Sequence, residues 1–318
     1  MLDPWKCIAE KGVVPVINVE KASYARLLAK ALREGGLPLI EVTLRSDASL
    51  QAIESICQSD PDMAVAAGTV LSPAQAKEAV AAGANLVVTP GFEPKTVRYC
   101  VENGIAVLPG CVTASDIAAA VDMGLSNLKF FPAEQSGGLK AIELLNGPFK
   151  NVRFVPTGGI TFDNLSSYAA SRSVLACGGS FMAKADVIRR EDWAAVTDGC
   201  RHALDMALGI RLTHIGFNHE NVDEAEKTAR LLCKLLHLPL DERSKSVFAG
   251  SFVENMKQPF YGEKGHIGFK THSIQRAMAY MEEQGFSFRE ESKQFDAQGR
   301  LSCIYLKEEI AGFAIHLM

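Results

Sequence analysis

Residues 127–138 read NLKFFPAEQSGG, which places one lysine, Lys129, inside an otherwise apolar run. Burying an ammonium group costs several kcal/mol unless it is paired or neutral. Two chemistries meet that demand. A carboxylate such as Glu41 can pair with the charge, or the amine can be kept neutral as a nucleophile that forms a Schiff base with a ketone. Apolar lining from Phe130 and Phe131 and a nearby cation such as Arg45 both favour the neutral amine. The residue types leave both readings open.

The elements that must position Lys129 are short β-rich runs alternating with Ala-rich helical stretches over the first two hundred residues. The runs are 13–17, 39–44, 63–70, 85–90, 106–110, 128–132, 152–159 and 174–180. Helix boundaries are marked by Ser72-Pro73 and Glu93-Pro94 at starts and by Gly83, Gly104 and Gly124 at ends. Eight βα units with near-continuous apolar strands predict an α/β fold, a closed parallel (β/α)8 TIM barrel. An open doubly wound sheet is the alternative, disfavoured because no GxGxxG follows the first strand.

In such a barrel the chemistry sits at the C-terminal ends of the strands. Those ends supply Glu41 and Arg45, Gly68-Thr69, Thr89-Pro90-Gly91, Lys129 with Phe131, Thr157-Gly158-Gly159 and Gly178-Gly179-Ser180. One shared site would explain their convergence. Glycine pairs beside a hydroxyl on the last two strands let backbone N–H groups approach a phosphate. The plainer reading is that they are turn glycines needing positive φ.

Composition sets outer limits. Apolar content of 47% and charged content of 22% are those of an ordinary soluble protein. A net charge of −4 offers no global attraction to nucleic acid or an anionic membrane. The start MLDPWKCIAEKG has no charged-then-apolar leader layout, and no run approaches a membrane span. Eight scattered cysteines, with Cys57, Cys100, Cys111 and Cys177 in apolar contexts, read as buried free thiols of a reducing, cytoplasmic compartment.

All seven histidines lie at or beyond His202, and the grammar changes there. THIGFNHENVDEAEKTARLL (213–232) and GHIGFKTHSIQRAMAYM (265–281) share HIGF, and each leads from a strand into an amphipathic helix. Each copy closes on a short strand, FVENM (252–256) and AIHLM (314–318). The expected organisation is therefore a barrel over 1–208 and a smaller α+β domain with a mixed sheet over 209–318.

The blocks EVTLRS (41–46), AAGTVLSPAQA (66–76), VTPGF (88–92), LPGCVTASD (108–116), LKFFPAE (128–134), VPTGGI (155–160) and CGGSFMA (177–183) follow in order. In them the chain resembles the 2-keto-3-deoxy-6-phosphogluconate / 4-hydroxy-2-oxoglutarate aldolase family over about residues 5–207. The resemblance implies a (β/α)8 barrel, usually a homotrimer, that cleaves a small keto-deoxy sugar acid without a cofactor. It implies Lys129 as the Schiff-base lysine and Glu41 as general acid/base. Arg45 and Thr69 would hold the keto-acid carboxylate, and Gly158, Gly159, Gly179 and Ser180 would cradle the phosphate. Pro90, Phe131 and Thr157 fall in the same motifs and would line the substrate site. Ser46 stands where threonine is common and Ala114 where proline often starts a helix. A galactonate-type aldolase is the alternative enzyme, and a non-catalytic sensor of phosphorylated sugar acids is the alternative outside enzymes.

The paired HIGF units resemble the βαβββ modules of the glyoxalase and vicinal-oxygen-chelate superfamily. There, metal ligands lie on the first and last strand of each module, which implies His214, Glu254, His266 and His316 here. Such a set suits a divalent zinc, nickel, manganese or iron ion. The fourth position is more often glutamate, so His316 is a departure. A docking, oligomerisation or regulatory module is the alternative reading of this domain, and His219, His237 and His272 are expected on the surface or in loops.

Overall fold

The computed structural model describes residues 3–318, and its contacts divide the chain between Leu208 and Gly209. In the first unit the strands are β1 (Val13–Ile17), β2 (Leu39–Thr43), β3 (Ala64–Gly68), β4 (Leu86–Val88), β5 (Val107–Leu108), β6 (Asn127–Phe130), β7 (Arg153–Pro156) and β8 (Cys177–Gly179). They pair in parallel in the order β5-β4-β3-β2-β1-β8, with β6 on β7. Single bridges between Gly110 and Lys129 and between Thr157 and Gly178 connect the two groups. The result is a curled parallel sheet of the (β/α)-barrel kind. Strands β2, β3 and β4 are buried along their whole length, as expected for a parallel sheet covered on both faces.

The strands are shorter than the apolar runs in the sequence. Residues such as Gly158, Gly159 and Ser180 leave the ladder and turn into the loops where the site is built. The helix starts follow their chemistry. Ser72 accepts from the Gln75 N–H, and Glu93 accepts from the N–H groups of Lys95 and Thr96, with proline next in line each time. Thr113 and Asp116 form a reciprocal capping box, so Ala114 starts its helix without the proline common at that position.

Alternation along β6 resolves how a lysine fits an apolar run. Leu128 and Phe130 share one face, where Phe130 is fully buried and meets Phe154 edge-on at 6.1 Å. Lys129 takes the opposite face. Phe130 therefore belongs to the packing layer and does not line the lysine's surroundings, contrary to the sequence expectation. Cys57 is also only half-buried, its thiol donating to the Gly83 carbonyl at 3.3 Å.

The second unit contains β9 (Arg211–Asn218), β10 (Leu240–Glu242), β11 (Ser246–Ala249), β12 (Val253–Met256), β13 (Gly265–Lys270), β14 (Phe288–Phe295), β15 (Leu301–Ile310) and β16 (Phe313–Leu317). Helices Val222–Leu236 and Ile274–Glu283 each follow the first strand of a copy. The sheet order is β10-β11-β12-β9-β13-β16-β15-β14. Each half thus reads second, third, fourth and first strand outward to inward, and the halves meet where β9 and β13 pair antiparallel. The first and last strands of each half run parallel, so the sheet is mixed. No helix among the described residues is long and apolar enough to cross a membrane.

Candidate active site

Strands β2 and β6 carry Glu41 and Lys129 into the interior of the first unit. The Lys129 ammonium donates to Glu41 Oε1 at 2.9 Å and to Oε2 at 3.2 Å, and the two residues are only 5% and 3% exposed. Lys129 Nζ also lies 5.6 Å from the centre of the Phe131 ring. Pairing and nucleophilicity are therefore not exclusive. A carboxylate in direct contact is the base that can take the ammonium proton and free the amine.

The pair opens on a cavity of about 410 Å³, within the range of small-molecule sites. The eleven barrel residues to which the family resemblance gave a role all line it, whereas Gly68, Thr89, Gly91 and Gly178 from the same strand ends do not. Glu41 and Arg45 come from β2 and the turn beyond, Thr69 from the end of β3, Pro90 from beyond β4, and Lys129 and Phe131 from β6. Thr157, Gly158 and Gly159 follow β7, and Gly179 and Ser180 close β8. Arg45 and Ser180 are exposed at the mouth, so their polar groups are free to meet a ligand. Gly158 and Gly159 adopt φ of +93° and +83°, a backbone that glycine takes without strain. Thr69 adopts φ +60°, rare for a β-branched residue, so its backbone is locally constrained where it lines the cavity.

Comparison with known proteins places this geometry. The model of the family described as KDPG and KHG aldolase matches residues 6–198, more than half of the chain. The chain belongs to the KDPG and KHG aldolase family. A 2-dehydro-3-deoxy-phosphogluconate aldolase of Treponema pallidum is 43% identical over 197 residues, covering 62% of this chain and 94% of that protein. The KHG/KDPG aldolase of Escherichia coli K12 is 42% identical over 208 residues, covering 64% of this chain and 98% of the relative. Among solved structures, the KDPG aldolase of Legionella pneumophila, with pyruvate captured as a covalent carbinolamine, superposes with a TM-score of 0.62 at 33% identity. It covers 64% of this chain and 98% of its own. The match of the family model lies wholly within the first unit.

The packing task of three glycines in the aldolase unit and two further lining residues are not evident from the sequence. Gly68 on β3 faces Glu41 so closely that a Cβ there would lie 2.7 Å from Glu41 Cγ and 2.8 Å from its Cδ. The carboxylate occupies the space a side chain would take. Gly178 does the same for the Thr157 hydroxyl, and Gly159 for the side chain of Glu134, which accepts the Tyr168 hydroxyl. Asn18 and Thr43 also line the cavity. Asn18 was accessible to the strand-end rule, because it directly follows β1.

The second unit holds a cluster of its own. Nε2 of His214 lies 3.1 Å from Nε2 of His266 and 3.2 Å from Nε2 of His316. Glu254 Oε2 lies 3.1 Å from Nε2 of His266 and 3.4 Å from Nε2 of His214. The three histidines are buried, and one donor atom from each falls within 4.8 Å of the others. Burial and the neighbouring imidazoles hold His214 below the usual histidine range and push His316 down to about 3. Burial raises Glu254, but hydrogen bonds from His266 and Ser246 outweigh it and hold the carboxyl low. The register explains the repeated H-x-G. Gly216 lies opposite His266 and Gly268 opposite His214, and a Cβ on either glycine would collide with the imidazole rings. Of the histidines expected on the surface or in loops, His219 is partly buried against Asn255, and none joins the cluster.

Removing the space that Gly68 provides has a measurable cost. Gly68→Ala is expected to destabilise the protein by about 1–3 kcal/mol through overpacking against Glu41. Gly91→Ala, where a Cβ meets nothing within 4 Å, stays within about 0.5 kcal/mol of the parent. Urea unfolding of both variants checks this, and equal midpoints would contradict the packing account.

Proposed function

We propose that residues 1–208 form a Schiff-base aldolase that cleaves 2-keto-3-deoxy-6-phosphogluconate to pyruvate and glyceraldehyde 3-phosphate. The carrying observation is the buried contact between Lys129 and Glu41 at the floor of a cavity ringed by cation, hydroxyls and glycines. Glu41 takes a proton from Lys129, and the neutral amine adds to the C2 carbonyl. The carbinolamine hydroxyl leaves as water with the proton from Glu41, giving the imine and restoring the carboxylate. The imine then draws in electrons as the C3–C4 bond breaks, while Glu41 accepts the C4 hydroxyl proton and glyceraldehyde 3-phosphate departs. Returning that proton to C3 converts the enamine to the pyruvate imine, and water releases pyruvate. The imine is the electron sink, so none of these steps calls on a cofactor.

The remaining residues fit the ends of the substrate. Arg45 presents a fork of donors suited to the C1 carboxylate, with Thr69 beside it in the lining. Gly158, Gly159, Gly179 and Ser180 suit the phosphate, and Pro90, Phe131 and Thr157 shape the wall. Cleavage of 4-hydroxy-2-oxoglutarate to pyruvate and glyoxylate follows by the same steps, and the name of the Escherichia coli relative supports it. The identities of 42–43% to gluconate-type relatives favour this over the galactonate-type alternative. This reading makes the barrel a closed (β/α)8 one and the assembly a homotrimer. It places the protein in the cytoplasm, in keeping with eight cysteines that form no disulfide among the described residues.

A second reading concerns residues 209–318. We infer that His214, Glu254, His266 and His316 hold a divalent late transition metal in a domain of the vicinal-oxygen-chelate kind. Metal–nitrogen bonds of about 2.0–2.1 Å in tetrahedral geometry set ligand atoms about 3.3 Å apart. Four of the six donor separations, at 3.1, 3.2, 3.1 and 3.4 Å, are close to that edge. Three imidazoles and one carboxylate suit zinc, nickel or iron better than magnesium or calcium. Ser246 donates to Glu254 Oε1 at 2.6 Å and so fixes its other oxygen toward the histidines. Such an ion would supply Lewis acidity toward an oxygen ligand.

For the aldolase, Lys129→Ala is expected to lower cleavage by at least about a thousandfold and Glu41→Gln by about a hundredfold or more. Pyruvate release checks this, and parental turnover in Lys129→Ala would sink the assignment. For the second unit, the purified protein is expected to carry about one equivalent of metal per chain by elemental analysis. His266→Ala is expected to lose it, and metal content unchanged by that substitution would overturn the centre.

A further inference from the structure

We propose that Asn18 is a specificity-determining residue that accepts a hydrogen bond from a hydroxyl in the aldehyde-derived half of the substrate, a role that rests on the aldolase reading. Asn18 lines the cavity, and its Oδ1 is buried without a hydrogen-bond partner. Such an acceptor is rare, because a buried carbonyl oxygen loses its water and gains nothing in return. A ligand that brings a proton donor to it repairs the loss.

The backbone on either side is pinned. Thr43 Oγ1 donates to the Ile17 carbonyl at 3.4 Å, and Ser46 Oγ donates to the Val19 carbonyl at 2.5 Å. Both neighbours of Asn18 are thus tied to β2 and its turn, while the carboxamide between them is left for the cavity. The arrangement gives Ser46, which stands where relatives often have threonine, a structural task.

The strand register fixes which part of a substrate passes Asn18. Val16 pairs with Glu41, and Asn18 lies two residues further along the same face, about 7 Å nearer the mouth. On the other side of β1, Pro15 pairs with Gly179, which leads to Ser180. A substrate with C2 at Lys129 and its phosphate at Gly179 and Ser180 therefore carries its C4 to C5 segment past Asn18. An acceptor oxygen there suits a hydroxyl, which has a proton to donate to it. The hydroxyl in question is the C5 one, which 2-keto-3-deoxy-6-phosphogluconate has and 4-hydroxy-2-oxoglutarate lacks.

The test compares kcat/KM on these two substrates for the full-length parent, Asn18→Leu and Asn18→Ala. Each value is normalised to that protein's own rate of deuterium exchange into the pyruvate methyl group, which reports the lysine chemistry alone. Preference for the phosphogluconate substrate is expected to fall about tenfold or more in both variants, the worth of one hydrogen bond. An unchanged preference in both variants overturns the role of Asn18. A parent that neither exchanges pyruvate protons nor cleaves either substrate overturns the aldolase reading, and this role with it.

Discussion

The first unit is organised around one ammonium–carboxylate contact taken out of water. Lys129 and Glu41 together satisfy a demand that neither could meet alone in the barrel interior. Each charge needs the other, so β2 and β6 must be held in fixed relation across the barrel. The curled sheet supplies that relation through β1 and β8 on one side and the bridge from Gly110 to Lys129 on the other. In the proposed mechanism the same contact supplies the base, because a proton that moves between two buried partners needs no access to solvent.

Both units clear space for functional side chains in the same way. Gly68 leaves room for the Glu41 carboxyl, and Gly216 and Gly268 leave room for imidazoles on the neighbouring strand. In each case a residue without a side chain lies beside a bulky polar group, and the polar group fills the missing volume. Close packing makes such a vacancy costly unless something occupies it. These glycines therefore belong to the sites as much as the groups they accommodate.

Much of the barrel site was legible because its signals are local. A lysine in an apolar run, glycine pairs after strands and a carboxylate inside EVT can all be read from the chain itself. Their convergence on one cavity follows from the rule that such groups gather at the C-terminal ends of strands. What the sequence hid depends on register and facing. The apolar run suggests Phe130 as lining for Lys129, yet alternation puts it on the packing face. Gly68 is an unremarkable strand glycine until β2 and β3 are paired. Asn18 is inconspicuous in the sequence because its strand is apolar to the end and the polar residue comes one position later. In the second unit the repeat showed that His214 and His266 are equivalent. The reason for the glycine in HIGF needed the antiparallel pairing of β9 with β13.

The central claim is that Lys129 forms a covalent imine with a keto acid. Incubating the protein with pyruvate, reducing with borohydride and mapping the added mass by peptide analysis tests it directly. A stable adduct on Lys129 is the predicted result. No adduct, or one on a different lysine, would contradict the account.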